Sequence, residues 1–172
     1  MRLGYGKAHA QRKLILAALC GASVLFSVAC NDNDSRRVIP PEIDFRLDGV
    51  VEFLRQDGSV LTRIVIEMAI SDSSQARGLM DRRSLPARGG MLFIDPKPSE
   101  RSFWMKNTPL PLDILFIGSD SSIVNIVRRT TPYSEDFIKS EGPAQFVLEV
   151  RAGFTDRYGI TNQHSVRWSR QE

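Results

Sequence analysis

Short apolar runs separated by turn-forming residues constrain the fold of this chain more than any other feature of its sequence. Apolar side chains alternate from Val60 to Ile70, and this period of two predicts a strand. The residues on its predicted inner face are Ile64, Ile66, Met68 and Ile70. A turn signal over 56–59, with the sequence Gln-Asp-Gly-Ser, predicts that this strand forms a hairpin with a strand over 45–54.

Further short apolar runs continue this pattern towards the end of the chain. They lie at 91–94, 102–105, 112–117, 123–129, 145–150 and 165–168. Ser71-Asp72-Ser73 can cap a short helix that reaches about Met80, and a second helical turn over 152–158 is expected to end at Gly159. The predicted fold is one mainly β domain over 43–170, a small sandwich or barrel with one or two short helices. Its longest loop is expected over 132–143.

A cationic and then apolar segment opens the chain. Arg12 and Lys13 precede an apolar run over 14–29, which is too short for a comfortable membrane span and is followed directly by polar residues. Residues 1–29 are therefore predicted to be a signal peptide, and the protein is predicted to be exported.

Cys30, directly after Ala29, resembles the bacterial lipoprotein box, in which this cysteine becomes the lipidated N-terminus. Ser27 and Ala29 are also small residues of the kind that an ordinary signal peptidase reads, so a soluble periplasmic or secreted protein is the alternative. Lipidation is favoured because Cys30 would otherwise be a lone thiol in an oxidising compartment. Residues 30–42 would then tether the domain to the periplasmic face of a membrane without spanning it.

The charge of the chain depends on this predicted signal. The 172 residues include 23 basic and 20 acidic side chains, a net charge of +3. Four of the basic residues and none of the acidic ones lie within 1–29, so the remainder has 19 basic and 20 acidic residues, a net charge of −1. A nucleic-acid surface is therefore not expected, and Arg82-Arg83 and Arg128-Arg129 are expected to be solvated.

Cysteine and histidine are too scarce for several kinds of chemistry. Cys20 and His9 fall within the predicted signal, and Cys30 is assigned to the lipid anchor. His164 is then the one histidine of the predicted domain. No disulfide, metal site, cofactor, thiolate nucleophile or serine triad is expected.

Three clusters place polar or charged residues among apolar ones, as ligand pockets do. Arg77, beside Gly78 in the short helix, could reach a carboxylate. Asp113 lies inside an apolar strand, where an ionised carboxylate needs a partner or a shifted pKa. Alternation over 103–105 puts Phe103 and Met105 on one face and Trp104 on the other. The candidate ligand-binding residues are Arg77, Trp104, Lys106, Asn107 and Asp113.

Each cluster also has a purely structural explanation. Arg77 and Asp113 could form a structural ion pair, and Trp104 could belong to the core. Lys106 and Asn107 could form a turn in which Asn107 hydrogen-bonds its own backbone.

Five segments together resemble the bacterial and archaeal family called domain of unknown function 192: Ala76–Met80, Gly90–Phe93, Ser102–Thr108, Pro111–Ile114 and Val147–Val150. The resemblance spans roughly residues 64–166 and implies a compact, mainly β domain, often exported or lipid-anchored, with no established activity. Many relatives carry a cysteine pair in the loop that here runs over 130–143, and a Gly-Asp turn where this chain has 161–164. Neither loop is therefore expected to share a role with the relatives.

Three classes of function fit this sequence. The favoured class is a non-enzymatic binding module for a small polar or anionic ligand, such as a glycan or a peptide end, in a groove near the candidate residues. A hydrolase or lyase using Asp113 and Glu149 as acid and base is the first alternative, but the sequence does not fix the separation of these carboxyl groups. The second alternative is a module that docks another envelope protein through an exposed apolar face.

Overall fold

The computed structural model describes residues 42–171, so the predicted signal peptide, Cys30 and nearly all of the predicted tether lie outside the described residues. Apart from the two-residue strand β7, the elements within this range follow the predicted order. They are β1 (Gly49–Leu54), β2 (Val60–Ala69), α1 (Asp72–Arg77), β3 (Gly89–Ser99), β4 (Ser102–Phe103), β5 (Leu112–Ile117), β6 (Ile123–Val127), β7 (Ile138–Lys139), β8 (Ala144–Arg151), α2 (Phe154–Arg157) and β9 (Ser165–Arg170).

Seven of the strands form one mixed sheet in the order β6-β5-β8-β3-β2-β1-β9, and β4 pairs separately with β7. Strands β2 and β3 are parallel, which requires a crossover connection, and α1 lies within it. The other neighbouring strands in the sheet are antiparallel, including the predicted β1–β2 hairpin. The prediction of a mainly β domain with short helices is therefore confirmed.

The sheet curls so that its two outer strands approach each other at one end. Ser122, just before β6, forms a bridge with Ser165 at the start of β9, and the Val166 N–H donates to the Ser121 carbonyl at 2.9 Å. Strands β6 and β9 are not otherwise neighbours, so the sheet is not a closed barrel. The curled sheet encloses one hydrophobic core, which includes Phe53, Ile64, Ile66, Leu92, Leu115, Leu148, Val150 and Phe154.

A second hydrophobic core covers the opposite face of the same sheet. The sheet contributes Phe93, Ile114, Phe116 and Val147, and the segments that connect the strands contribute Leu79, Leu85 and Met105. Because both faces of the central strands are covered, β5 is buried along its whole length. This second face positions the candidate site.

Two expectations about individual side chains were wrong. Ile70 is 48% exposed, because β2 ends at Ala69 and the chain turns away before Ile70 can join the buried residues of that face. Arg82 is buried rather than solvated, and its guanidinium donates to Glu67 Oε2 at 2.6 Å. Arg82 also donates to the carbonyls of Ile43 and Asp44, so the buried ion pair holds the segment before β1 against the sheet.

Candidate functional site

A cavity of about 500 Å³ lies between α1 and the segment 100–108, on the face of the sheet that carries the second core. Aromatic rings from the sheet and from the covering segment form part of its wall, and charged side chains stand among them. The residues that matter most for the chemistry are Arg77, Phe93, Asp95, Arg101, Phe103, Trp104 and Glu149. Apolar walls with a few polar groups are typical of small-molecule sites.

Helix α1 is fixed above the sheet by local hydrogen bonds. The Ser71 side chain accepts from the Ser74 N–H and caps the first turn, as predicted. Gln75 Nε2 donates to the Ile94 carbonyl of β3 at 2.9 Å, which ties the helix to the sheet. The helix ends at Gly78 with a φ of 49°, where a Cβ would lie 3.2 Å from the Phe93 ring. A glycine is required here because the backbone is left-handed and packs directly over that ring.

The opposite wall of the cavity is fixed by aromatic contacts and one ion pair. Phe103 packs edge-on against Phe93 and Phe116, with centroid distances of 5.0 and 6.0 Å. Arg101 Nη1 contacts Asp95 Oδ1 at 2.6 Å, and the other nitrogens of the guanidinium donate to main-chain carbonyls. Because its guanidinium nitrogens are already engaged, Arg101 serves mainly to hold this segment in place.

Glu149 contributes a buried carboxyl group to the cavity. It lies on β8 between Met91 of β3 and Ile114 of β5, and it is only 5% exposed. Its carboxyl forms no hydrogen bond or ion pair within residues 42–171. In that range, every side-chain N or O atom that is fully enclosed by protein does have a hydrogen-bond partner. The Glu149 oxygens are therefore not fully enclosed, and they are accessible from the cavity that Glu149 lines.

Burial raises the pKa of Glu149 to about 8, because the ionised carboxylate would lose its hydration without gaining a partner. At neutral pH the group is therefore mostly protonated, and it can both donate and accept a hydrogen bond. The sequence marked Glu149 only as part of a proposed acid–base pair. Its position in the apolar run Val147–Val150 was the signal that it would be buried.

The predicted ligand residues are divided among several places. Arg77 and Trp104 line the cavity, and Trp104 is 41% exposed. Asn107 instead lines a neighbouring cavity of about 390 Å³, which Arg77 also reaches. Lys106 Nζ lies 5.1 Å from the centroid of the Trp104 ring and 3.6 Å from Glu135 Oε1. These positions place Arg77 between the two cavities and leave Lys106 outside both linings.

Residues 105–108 form a turn, as the structural explanation for Lys106 and Asn107 expected, but within residues 42–171 the Asn107 side chain does not hydrogen-bond its own backbone. The Thr108 N–H donates to the Met105 carbonyl at 3.0 Å, and Asn107 has a φ of 53°. Asparagine tolerates this left-handed conformation better than most residues. The Asn107 carbonyl accepts from the Asp81 N–H, so this turn also anchors the chain that follows α1.

Asp113 does not belong to the cavity, and its predicted pairing with Arg77 was wrong. The carboxylate accepts hydrogen bonds from the backbone N–H groups of Arg129, Gly153 and Thr155 and from the Thr155 hydroxyl. Helix α2 has no side-chain cap of its own, so Asp113 satisfies N–H groups at its start from a neighbouring strand. Its role is structural.

The structure also does not bring Asp113 and Glu149 together. In the β5–β8 register Glu149 lies opposite Ile114, whereas Asp113 lies opposite Val150. Neighbouring residues along a strand point to opposite faces, so the two carboxyl groups are on opposite sides of the sheet. They cannot act as an acid–base pair on one substrate.

An exposed aromatic patch lies beside the cavity. Trp104 stacks on Phe137 with an interplanar angle of 9° and a centroid distance of 6.4 Å. Phe137 and Tyr133 are 67% and 64% exposed. Both lie in the long loop predicted over 132–143, which also contains β7.

Residues 42–171 contain neither a cluster of metal-ligating side chains nor a membrane-spanning helix. Among residues 42–171 no group of three or more histidine, cysteine, aspartate or glutamate side chains is placed to hold a metal ion. Within the same part of the chain, no helix has both the length and the apolar character needed to cross a membrane.

The domain is a curled mixed sheet with a cavity on the face that carries the second hydrophobic core. Comparison with known proteins identifies its family. The chain belongs to the DUF192 family, described as "Uncharacterized ACR", whose model matches residues 52–168. The resemblance inferred from the sequence motifs is thereby confirmed. No curated protein matches this chain.

Two solved structures of bacterial proteins are similar to this chain. One, from Sinorhizobium meliloti and described as a "putative transcription regulator", is 34% identical, with a TM-score of 0.68 over 74% of this chain and 98% of its own. The other, a protein of unknown function from Novosphingobium aromaticivorans, is 36% identical, with a TM-score of 0.65 over 69% of this chain and 84% of its own.

Proposed function

We propose that the protein is a non-enzymatic binding module that takes a small polar ligand, such as a glycan or a peptide end, in the cavity beneath α1. The observation that carries this proposal is the Glu149 carboxyl, which is buried, has no partner within residues 42–171 and faces the cavity. Because the carboxyl oxygens are accessible from the cavity and no side chain of residues 42–171 pairs with them, a ligand in the cavity can form hydrogen bonds with this group.

The remaining cavity residues suit such a ligand. Phe93 and Phe103 offer apolar surface, and Arg77 places an exposed guanidinium at the rim. Gly78 and the Arg101–Asp95 ion pair keep the two walls in place without a ligand, so little ordering is needed on binding. The volume of about 500 Å³ falls within the range of small-molecule sites.

The test is a thermal-shift screen of the purified full-length protein against envelope glycans, short peptides and simple anions. A binding compound should raise the melting temperature, because it binds the folded state alone. Ala76 lines the cavity, so Ala76→Phe should abolish the shift by filling it. Ala87, exposed and outside that lining, gives the matched control Ala87→Phe, which should retain the shift. A screen without any shift, or a shift that survives Ala76→Phe, would refute the proposal.

The proposed location is the periplasmic face of a bacterial membrane, with Cys30 as the lipid-bearing residue. The support comes from the sequence: a cationic stretch, an apolar run over 14–29, and a cysteine directly after Ala29. The described domain would then be carried at the membrane surface by a short polar tether.

Cys30→Ser should release the protein from the membrane fraction, because it removes the thiol that the lipid would modify. The measurement is sedimentation of membranes from a bacterial host, followed by detection of the protein in the pellet and the supernatant. Cys20→Ser is the matched control and should leave the protein in the pellet. A Cys30→Ser variant that still sediments with membranes would show that the anchor lies elsewhere.

A further inference from the structure

Resting on the proposed function, we infer that the ligand carries a cationic amine or guanidinium group, which binds against Glu149 in the cavity. The sequence suggested a polar or anionic ligand, whereas the charged and aromatic residues that line the cavity with Glu149 favour a cation.

The charges that line the cavity favour a cation. The ionisable lining residues are Asp72, Arg77, Asp95, Glu100, Arg101 and Glu149. Arg101 and Asp95 neutralise each other in a largely buried ion pair. Since Glu149 is protonated at neutral pH, two carboxylates, Asp72 and Glu100, then face the guanidinium of Arg77, and all three of these side chains are exposed. An excess of carboxyl groups in a concave site attracts cations and disfavours anions.

Glu149 itself discriminates between ligand charges. An anion placed beside it would oppose ionisation and would meet the carboxylates of Asp72 and Glu100 as well. A neutral hydroxyl compound would hydrogen-bond to Glu149 but would leave the negative charges of Asp72 and Glu100 unbalanced. A cation balances these charges and favours the ionised form of Glu149. It also supplies the N–H donors that a carboxylate accepts.

The aromatic wall gives independent support for a cation. The rings of Phe93 and Phe103 line the same cavity as Glu149 and contact each other edge-to-face. The face of an aromatic ring attracts an ammonium or guanidinium group, and more strongly where water is excluded. A carboxyl group combined with aromatic rings is therefore better suited to a cation than to an anion.

Binding of a cation has a measurable consequence for protons. Before binding at neutral pH, Glu149 holds a proton, since burial raises its pKa to about 8. A cationic ligand lowers that pKa, so the proton passes to the buffer as the carboxylate pairs with the ammonium group. No bond in the ligand is made or broken.

The experiment is calorimetric titration of the full-length protein at pH 7 with pentylammonium, pentanol and pentanoate, which share one hydrocarbon chain. Each titration is repeated in phosphate and in MOPS, which differ in ionisation enthalpy and are not primary amines, so that the protons released are counted. We expect pentylammonium to bind at least about tenfold more tightly than pentanol or pentanoate, with about one proton released.

Glu149→Gln should abolish both the preference for the amine and the proton release, because an amide cannot ionise. Glu135→Gln is the control, since Glu135 contacts Lys106 outside the cavity, and it should leave both unchanged. Amine binding without proton release, or equally tight binding by Glu149→Gln, would overturn the inference. Tighter binding of pentanol or pentanoate than of pentylammonium would overturn the inference but leave the proposed function standing. The same holds if pentylammonium does not bind although compounds from the glycan and peptide screen do. If no compound of either set binds, both fail.

Discussion

Replacing Glu149 with glutamine should stabilise the folded protein at alkaline pH and change its stability little at pH 4 to 5. Burial raises the pKa of the folded-state carboxyl to about 8, against an ordinary value of 4.5. The folded state therefore binds more protons than the unfolded state between these values, and the stability of the wild-type protein falls as the pH rises from about 4.5 to 8. Glutamine keeps the shape of the neutral acid and removes this dependence. The gain at pH 9 should reach up to about 5 kcal/mol.

Urea unfolding at pH 5, 7 and 9 measures this effect as a difference between the two proteins. Glu141→Gln is the matched control, because Glu141 is an exposed residue whose side chain forms no ion pair within the described range. That variant should follow the wild type at each pH to within about 0.5 kcal/mol. Parallel stability profiles for Glu149→Gln and the wild type would contradict the assignment of a protonated Glu149.

Asp113→Ala should destabilise the protein by about 3 kcal/mol or more. The carboxylate accepts hydrogen bonds from three backbone N–H groups and from the Thr155 hydroxyl, and Asp113 is fully buried. Without it, these donors lose their acceptor, and each buried donor left unsatisfied is unfavourable by about 1 to 3 kcal/mol. Urea unfolding near neutral pH measures the loss.

Asp156→Ala is the control for Asp113, since Asp156 pairs with Arg128 and Arg129 at the surface. Exposed ion pairs contribute little, so this variant should lose less than about 1 kcal/mol. Because Asp113 lies on the other side of the sheet from the cavity, any Asp113→Ala protein that remains folded should keep its ligand affinity. An unchanged unfolding midpoint in Asp113→Ala would refute the structural role.

Local patterns in the sequence predicted the secondary structure well, because the signals they contain act over a few residues. The alternation before Ala69 and the Gln-Asp-Gly-Ser turn specify the β1–β2 hairpin, and Ser71 caps α1 as expected. Strand β7 was not predicted, since two residues are too few to show a period. It forms because Ile138 and Lys139 meet Phe103 and Ser102, which lie far away in the chain.

The candidate site could be predicted only in part, because its contacts depend on strand register and on long-range packing. Of the candidate residues, Arg77 and Trp104 line the same cavity, whereas Asn107 lines the neighbouring one. The partners of Asp113 lie up to 42 residues away, so no local pattern could identify them. Whether Glu149 faces the cavity or the enclosed core depends on the pairing of Glu149 with Ile114. A shift of one residue would reverse it.

The protonation of Glu149 can be measured directly by a carbon NMR titration of protein labelled at the glutamate side-chain carboxyl carbon. Glu149→Gln identifies the resonance by its loss. We expect one glutamate resonance with a titration midpoint near pH 8, and we expect this midpoint to move to lower pH when pentylammonium is added. A Glu149 resonance that titrates at the ordinary pH of about 4.5 would contradict this expectation.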